Sequence, residues 1–138
     1  MGSVYFPSRE DAEVICVEFM PVHGAARSLN LVVDSGFTGK SCFILGEDAP
    51  DLLCAKVPPA QATGAIRGPQ HRAWVTCRLT ALSFQRSLIA IITDLTPLSL
   101  RPDVQGLAGL SFLRQFARWS AEETAGGWRF FLSDDANG

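Results

Sequence analysis

Nine consecutive residues, Leu31-Val32-Val33-Asp34-Ser35-Gly36-Phe37-Thr38-Gly39, carry the strongest chemical signal in the chain. An apolar run ends there in an acid, a hydroxyl and a glycine. Glycine lets a backbone turn sharply and lets a ligand approach the main chain closely, so an acid in this setting is displayed at a strand end. A carboxylate held that way can take or give a proton at a reacting group. Asp, Ser and Gly are also ordinary turn residues, and the triplet by itself fits that meaning too.

A competing reading starts two residues later. Gly36-Phe37-Thr38-Gly39-Lys40-Ser41 follows a strand and looks like a phosphate-cradling loop. Such a loop needs glycine where Asp34 stands, and a carboxylate there would repel the phosphates that the loop amides should bind. The next segment, Cys42-Phe43-Ile44-Leu45, reads as a strand and not as the helix whose N-terminus completes such a site. Nucleotide binding is therefore disfavoured. Asp94 and Asp103 lack a following hydroxyl and glycine, and His23 and His71 lack a Ser or Cys partner at an interpretable spacing. None of these is given a catalytic role.

The elements that must position Asp34 are mostly strands. Val14–Met20 is rich in β-branched and aromatic residues and short for a helix, so it reads as a strand. Pro21 to Gly24 turn the chain, Leu29–Val33 forms a second strand that ends at Asp34, and Ser41–Leu45 a third. Gly46 to Ala60 reads as loop, with a turn of helix around Asp51-Leu52-Leu53, and Gln61 to Gly68 as a hairpin tip at Gly64. Ala73–Leu82 and Leu88–Thr93 are further strands, the second apolar enough to lie deep in a sheet. After a connection rich in proline, Phe112, Leu113 and Phe116 make one apolar face on a short helix over Ser111–Phe116. Trp119 to Leu132, turning at Gly126-Gly127, closes the chain as a hairpin. The expectation is one all-β domain over residues 1–138, with a core at 14–132 and flexible tails at 1–10 and 133–138.

Composition narrows the function classes. The chain has 138 residues, 47% apolar and 19% charged, as in a globular domain that builds its own core. A formal net charge of -2 gives no electrostatic case for nucleic acid or an acidic membrane surface. The four cysteines include no C-x-x-C pair and stand far from both histidines, so neither a zinc site nor another cofactor is expected. They read as reduced, mostly buried thiols. Met1 to Pro7 lacks a basic stretch followed by an apolar run, and no segment approaches membrane-spanning length, so the expected compartment is the cytoplasm.

Several segments, in order, resemble one family. Val33-Asp34-Ser35-Gly36-Phe37-Thr38-Gly39 is similar to the active-site motif of retropepsin-like aspartic proteases, Asp then Thr or Ser then Gly. Gly106-Leu107-Ala108-Gly109-Leu110-Ser111-Phe112-Leu113 looks like that family's second signature, two apolar residues and a glycine leading into a helix. Phe116 to Leu132 is similar to the closing strands of bacterial members, and Ala62-Thr63-Gly64 falls where the family carries its flap.

The resemblance implies an acid-protease β-barrel with one short C-terminal helix, working as a two-fold symmetric homodimer. Asp34 would be the catalytic acid, facing its symmetry mate so that the pair shares a proton. Ser35 and Gly36 would complete the active-site loop, and Leu107, Ala108 and Gly109 would brace it from beneath. Thr63 and Gly64 would belong to a flap over an extended peptide substrate, with Phe37, Ala65 and Ile66 as candidates for its apolar lining; Phe37 stands where many viral members have alanine, and its bulk would either narrow the cleft or pack under the loop. Only one Asp-[Ser/Thr]-Gly occurs, so the second acid must come from a second chain. An alternative stays open: a catalytically inactive dimeric peptide-binding or regulatory module on the same fold.

Overall fold

The structure is a computed structural model and describes residues 2–47, 53–56 and 71–135. Alternation explains its strands. In β2 (Val14–Met20), Ile15, Val17 and Phe19 are fully buried while Cys16 and Glu18 face outward. In β6 (His71–Leu79), Ala73, Val75, Cys77 and Leu79 point inward and Trp74 outward. A period of two with one apolar face makes a sheet that must close over its own core.

It does so as a barrel. With β3 (Arg27–Asp34), β4 (Phe43–Gly46), β5 (Leu53–Lys56), β7 (Phe84–Thr93) and β8 (Gly106–Gly109), the sheet order is β2-β3-β8-β4-β7-β6-β5. An added β2–β6 pairing closes six of these strands on one another, with β5 attached to β6. The class is all-β, as expected. The sheet departs from chain order twice: β4 pairs in parallel with β7, and β8 lies between β3 and β4, parallel to the first and antiparallel to the second. The chain from β3 to β4 must therefore pass over the end of β8.

Aromatic rings fill the barrel. Phe43 meets Phe19 at 5.2 Å and Phe112 at 4.8 Å between centroids, and Phe116 continues the stack to Phe84. Phe112 and Leu113 come from α1 (Leu110–Leu113), the single α-helix among the described residues. The helix was expected over Ser111–Phe116 and is one turn instead. A turn at 114–117 returns Phe116 to the core without further helix.

A second sheet packs on the barrel. β9 (Arg118–Thr124) and β10 (Gly127–Ser133) form the expected terminal hairpin, and β1 (Ser3–Pro7) pairs with β10. Phe6, Phe130 and Leu132 join the barrel core from this sheet. Within the segments expected to be flexible, two parts are ordered instead: Ser3–Pro7 is a strand, and Ser133 is fully buried with its hydroxyl on the Gly2 carbonyl at 3.1 Å; residues 1 and 136–138 lie outside the described residues. Burial of Phe6 supplies the reason. Leu53, expected in a helical turn, starts strand β5, while Asp51 and Leu52 lie outside the described residues. Among the described residues no helix is long and apolar enough to cross a membrane.

Candidate active site

Asp34 is the last residue of β3, and the strand's alternation decides where its carboxylate points. Leu31 is fully buried and Val33 packs on the same barrel core, whereas Val32 packs on an outer cluster of Ile44, Ile91 and Leu107. Asp34 shares the parity of Val32, so it projects from the outer face beside that cluster. It is partly exposed, and Ser35 and Gly36 after it are exposed.

The loop is a compact turn. The Phe37 N–H donates to the Asp34 carbonyl at 3.1 Å, and the Gly36 N–H donates to Asp34 Oδ1 at 3.0 Å. The carboxylate is thus oriented by its own loop, as aspartates in turns commonly are. A Cβ on Gly36 would stand 3.2 Å from that same oxygen, a tight contact on the atom the turn has to hold.

From Phe37 on, the loop is stitched to what lies under it. Asp34 is the register partner of Gly109 at the end of β8. The Leu110 N–H donates to the Phe37 carbonyl at 3.0 Å, and the Gly109 N–H to the Cys42 carbonyl at 2.8 Å. The Cys42 N–H continues to the Ile89 carbonyl at 2.7 Å, and Ser111 Oγ donates to the Gly39 carbonyl. Gly39 itself sits at φ 115°, a conformation open to glycine.

The sequence-derived residues fall into three groups. Asp34, Ser35, Gly36 and Phe37 share this loop, and Leu107, Ala108 and Gly109 form the strand beside it. Ala108 is sealed in the barrel core, while Leu107 belongs to the outer cluster that Phe37 packs against. Of the two places open to Phe37, the cleft wall and the underside of the loop, the structure has the second: its ring lies against Gly109, below the loop. Thr63, Gly64, Ala65 and Ile66 lie outside the described residues. Sequence reasoning read Leu95 to Gln105 as a connecting loop but missed that its Leu95, Leu98 and Leu100 pack over the outer cluster. The signal was a leucine at 95, 98 and 100, set among Thr96, Pro97 and Ser99.

Ion pairs tie that loop down. Arg9 grips Asp103 through both guanidinium ends, at 3.1 and 2.6 Å, and Arg101 reaches Asp11 at 2.6 Å. The hydrogen bonds from arginine hold both carboxyls below their usual range. Between these pairs and Val32 opens a cleft of about 140 Å³, floored by Val14, Val32, Leu100 and Val104. Asp103 and Asp94 thus act within connections, Asp94 by accepting the Thr96 N–H at 2.9 Å.

The thiols divide by depth. Cys42 and Cys77 are buried in the barrel, where desolvation pushes their pKa values up to about 11 and about 12, while Cys16 is exposed. Among the described residues, no group of three or more His, Cys, Asp or Glu side chains is placed to hold a metal ion.

Compared with protein-family models, curated proteins and solved structures, the chain finds no match in any of the three. The site has to be read from its own geometry and from the motifs that the sequence carries.

Proposed function

We propose that this chain is one subunit of a retropepsin-like aspartic endopeptidase, acting in the cytoplasm as a two-fold symmetric homodimer. The observation that carries the reading is the setting of Asp34. Its carboxylate stands at the open end of a core strand, one oxygen fixed by the Gly36 amide, in a loop braced by β8. The barrel, with a strand inserted beneath that loop, supports the reading because it gives the acid a rigid floor.

In the dimer, Asp34 meets the partner's Asp34 across the axis. Two carboxylates that close cannot both carry full charge, so they hold one proton between them. The ionised member takes a proton from a bound water, which attacks the peptide carbonyl. The protonated member donates to the carbonyl oxygen as it becomes tetrahedral. Collapse of that intermediate expels the amine, which leaves with a proton returned from the pair. Ser35, exposed beside the acid, would bond across the axis and keep the loops in register. The substrate is an extended peptide, bound through its main chain, with partly exposed Val32, two residues before Asp34, as apolar surface near the reacting position.

Cleavage of a peptide library, read as new termini by mass spectrometry, tests the proposal. Asp34→Asn and Asp34→Ala should remove cleavage while leaving the fold and the dimer unchanged. Full activity in either variant would end the assignment.

A further inference from the structure

Two hollows lie end to end on the outer face of β2 and β3, and one ion pair stands between them. The first is the cleft of about 140 Å³ floored by Val14, Val32, Leu100 and Val104. The second, of about 340 Å³, is lined by Phe6, Pro7 and Ser8 on one side and by Val14, Cys16 and Asn30 on the strands. The register sets them in succession, since Val14 pairs with Val32 and Cys16 with Asn30. Arg9 and Val14 line both hollows.

Arg9 makes the division. Its guanidinium leaves the segment between β1 and β2 and meets both carboxylate oxygens of Asp103, on the loop opposite. That loop is docked on β3 at Asn30. Asn30 Nδ2 donates to the Asp103 carbonyl at 3.0 Å, the Asn30 N–H to Gln105 Oε1 at 2.8 Å, and the Gln105 N–H to the Asn30 carbonyl at 2.8 Å. The bridge thus crosses the sheet over the step from Val32 to Asn30. A planar guanidinium gripped at two points is held in one orientation, so it acts as a wall.

Val32 precedes Asp34 by two residues on the same face, about 7 Å along the strand. A side chain flanking a peptide bond held at Asp34 reaches that far, and the first hollow receives its apolar end. An apolar cavity of about 150 Å³ takes one benzene ring, so the side chain of leucine, methionine or phenylalanine fits and the two fused rings of tryptophan do not. We infer that the Arg9–Asp103 pair is a specificity-determining wall: it closes the back of the cleft near Asp34, limits the substrate residue there to the size of a single ring, and shuts off the larger hollow at Cys16. This rests on the protease reading and names the size class of side chain that the site accepts.

A peptide library varied at the residues flanking the cut, with products read by mass spectrometry, gives the ratio of cleavage beside tryptophan to cleavage beside leucine. That ratio should be low in the wild type and should rise at least tenfold in Arg9→Ala, where the two hollows join. Arg9→Lys, which keeps a long cation within reach of Asp103, should raise it less. Gln105→Ala loosens the same loop by removing its bond to the Asn30 N–H and leaves the wall standing, so its ratio should stay near that of the wild type. An Arg9→Ala enzyme that still refuses tryptophan would overturn the inference and leave the protease reading in place, as would a Gln105→Ala enzyme relaxed to the same degree. If Arg9→Ala fails to fold, Asp103→Ala carries the same expectation, and an unchanged ratio there overturns it. A wild type that cuts no peptide would remove the protease reading and this inference together.

Discussion

The ring of Phe37 occupies the space that any side chain on Gly109 would need. A Cβ on Gly109 would lie 2.4 Å from Phe37 Cδ2 and 2.8 Å from the Phe37 carbonyl oxygen. The backbone of Gly109 is extended, with φ -94° and ψ -178°, so the demand for glycine is one of space and not of conformation. The relationship follows from the strand order: the Asp34 loop crosses the end of β8 to reach β4, and a large ring on the loop needs a bare backbone beneath.

Gly109→Ala should therefore lower stability by about 1–3 kcal/mol, the usual cost of overpacking, and should lower activity more than stability accounts for, because the displaced segment is the Asp34 loop. Urea unfolding and peptidase assays on the same preparation measure both. Adding Phe37→Ala should restore part of the loss and not all, since the Phe37 carbonyl would still be too close to the new methyl group.

Phe112 makes the aromatic core a single unit, touching Phe43, Phe84 and Phe116. Phe112→Ala should cost about 3–5 kcal/mol by leaving a cavity in the barrel. A fall of the urea midpoint well beyond that of an exposed control such as Trp128→Ala would bear this out; Trp128 is 56% exposed.

How much of this was legible beforehand differs from element to element. β2 was read with its observed limits, because an alternating run of β-branched and aromatic residues specifies both strand and face. The end of β3 at Asp34 was visible for the same reason. β1 was not, since Ser3–Pro7 is short and ends in proline, and its partner is more than a hundred residues away, with Ser3 opposite Ser133. No local pattern reports so distant a pairing. Gly106 to Gly109 stood out as a motif, but its insertion between β3 and β4 is a property of the sheet, and only that insertion explains why Gly109 lacks a side chain. For Phe37 the sequence left two places open, the cleft wall and the underside of the loop, and only the strand beneath decides for the second.

Acid should loosen the loop that bears Leu95, Leu98 and Leu100. Asp11, Asp103 and Glu18 have folded pKa values lowered chiefly by hydrogen bonds from Arg101, Arg9 and Arg78. Lowered values mean that the unfolded chain binds protons first as pH falls, so the stabilisation is full above the unfolded pKa near 4 and is lost below it. Unfolding midpoints measured between pH 6 and pH 2.5 should fall at the acid end, and Asp103→Asn should flatten that slope.

Thiol chemistry should sort the cysteines by depth. At pH 8 an alkylating reagent should modify Cys16 rapidly, whereas Cys42 and Cys77, held at about 11 and about 12 by burial, should react only after denaturation. The same raised values favour ionisation in the unfolded chain as the pH passes about 8.5, so stability should decline above that point. Peptide mapping by mass spectrometry resolves the sites.

The most direct test of the central claim, that each active site takes one Asp34 from each of two chains, is a mixing experiment. Wild type and Asp34→Asn are combined in varied proportion, unfolded and refolded together, and peptide cleavage is followed at constant total protein. A site built from two acids loses activity when either is replaced, so the rate should fall with the square of the wild-type fraction, to about one quarter in an equal mixture. A linear fall, to one half, would mean that a single chain carries the whole site and would contradict the account.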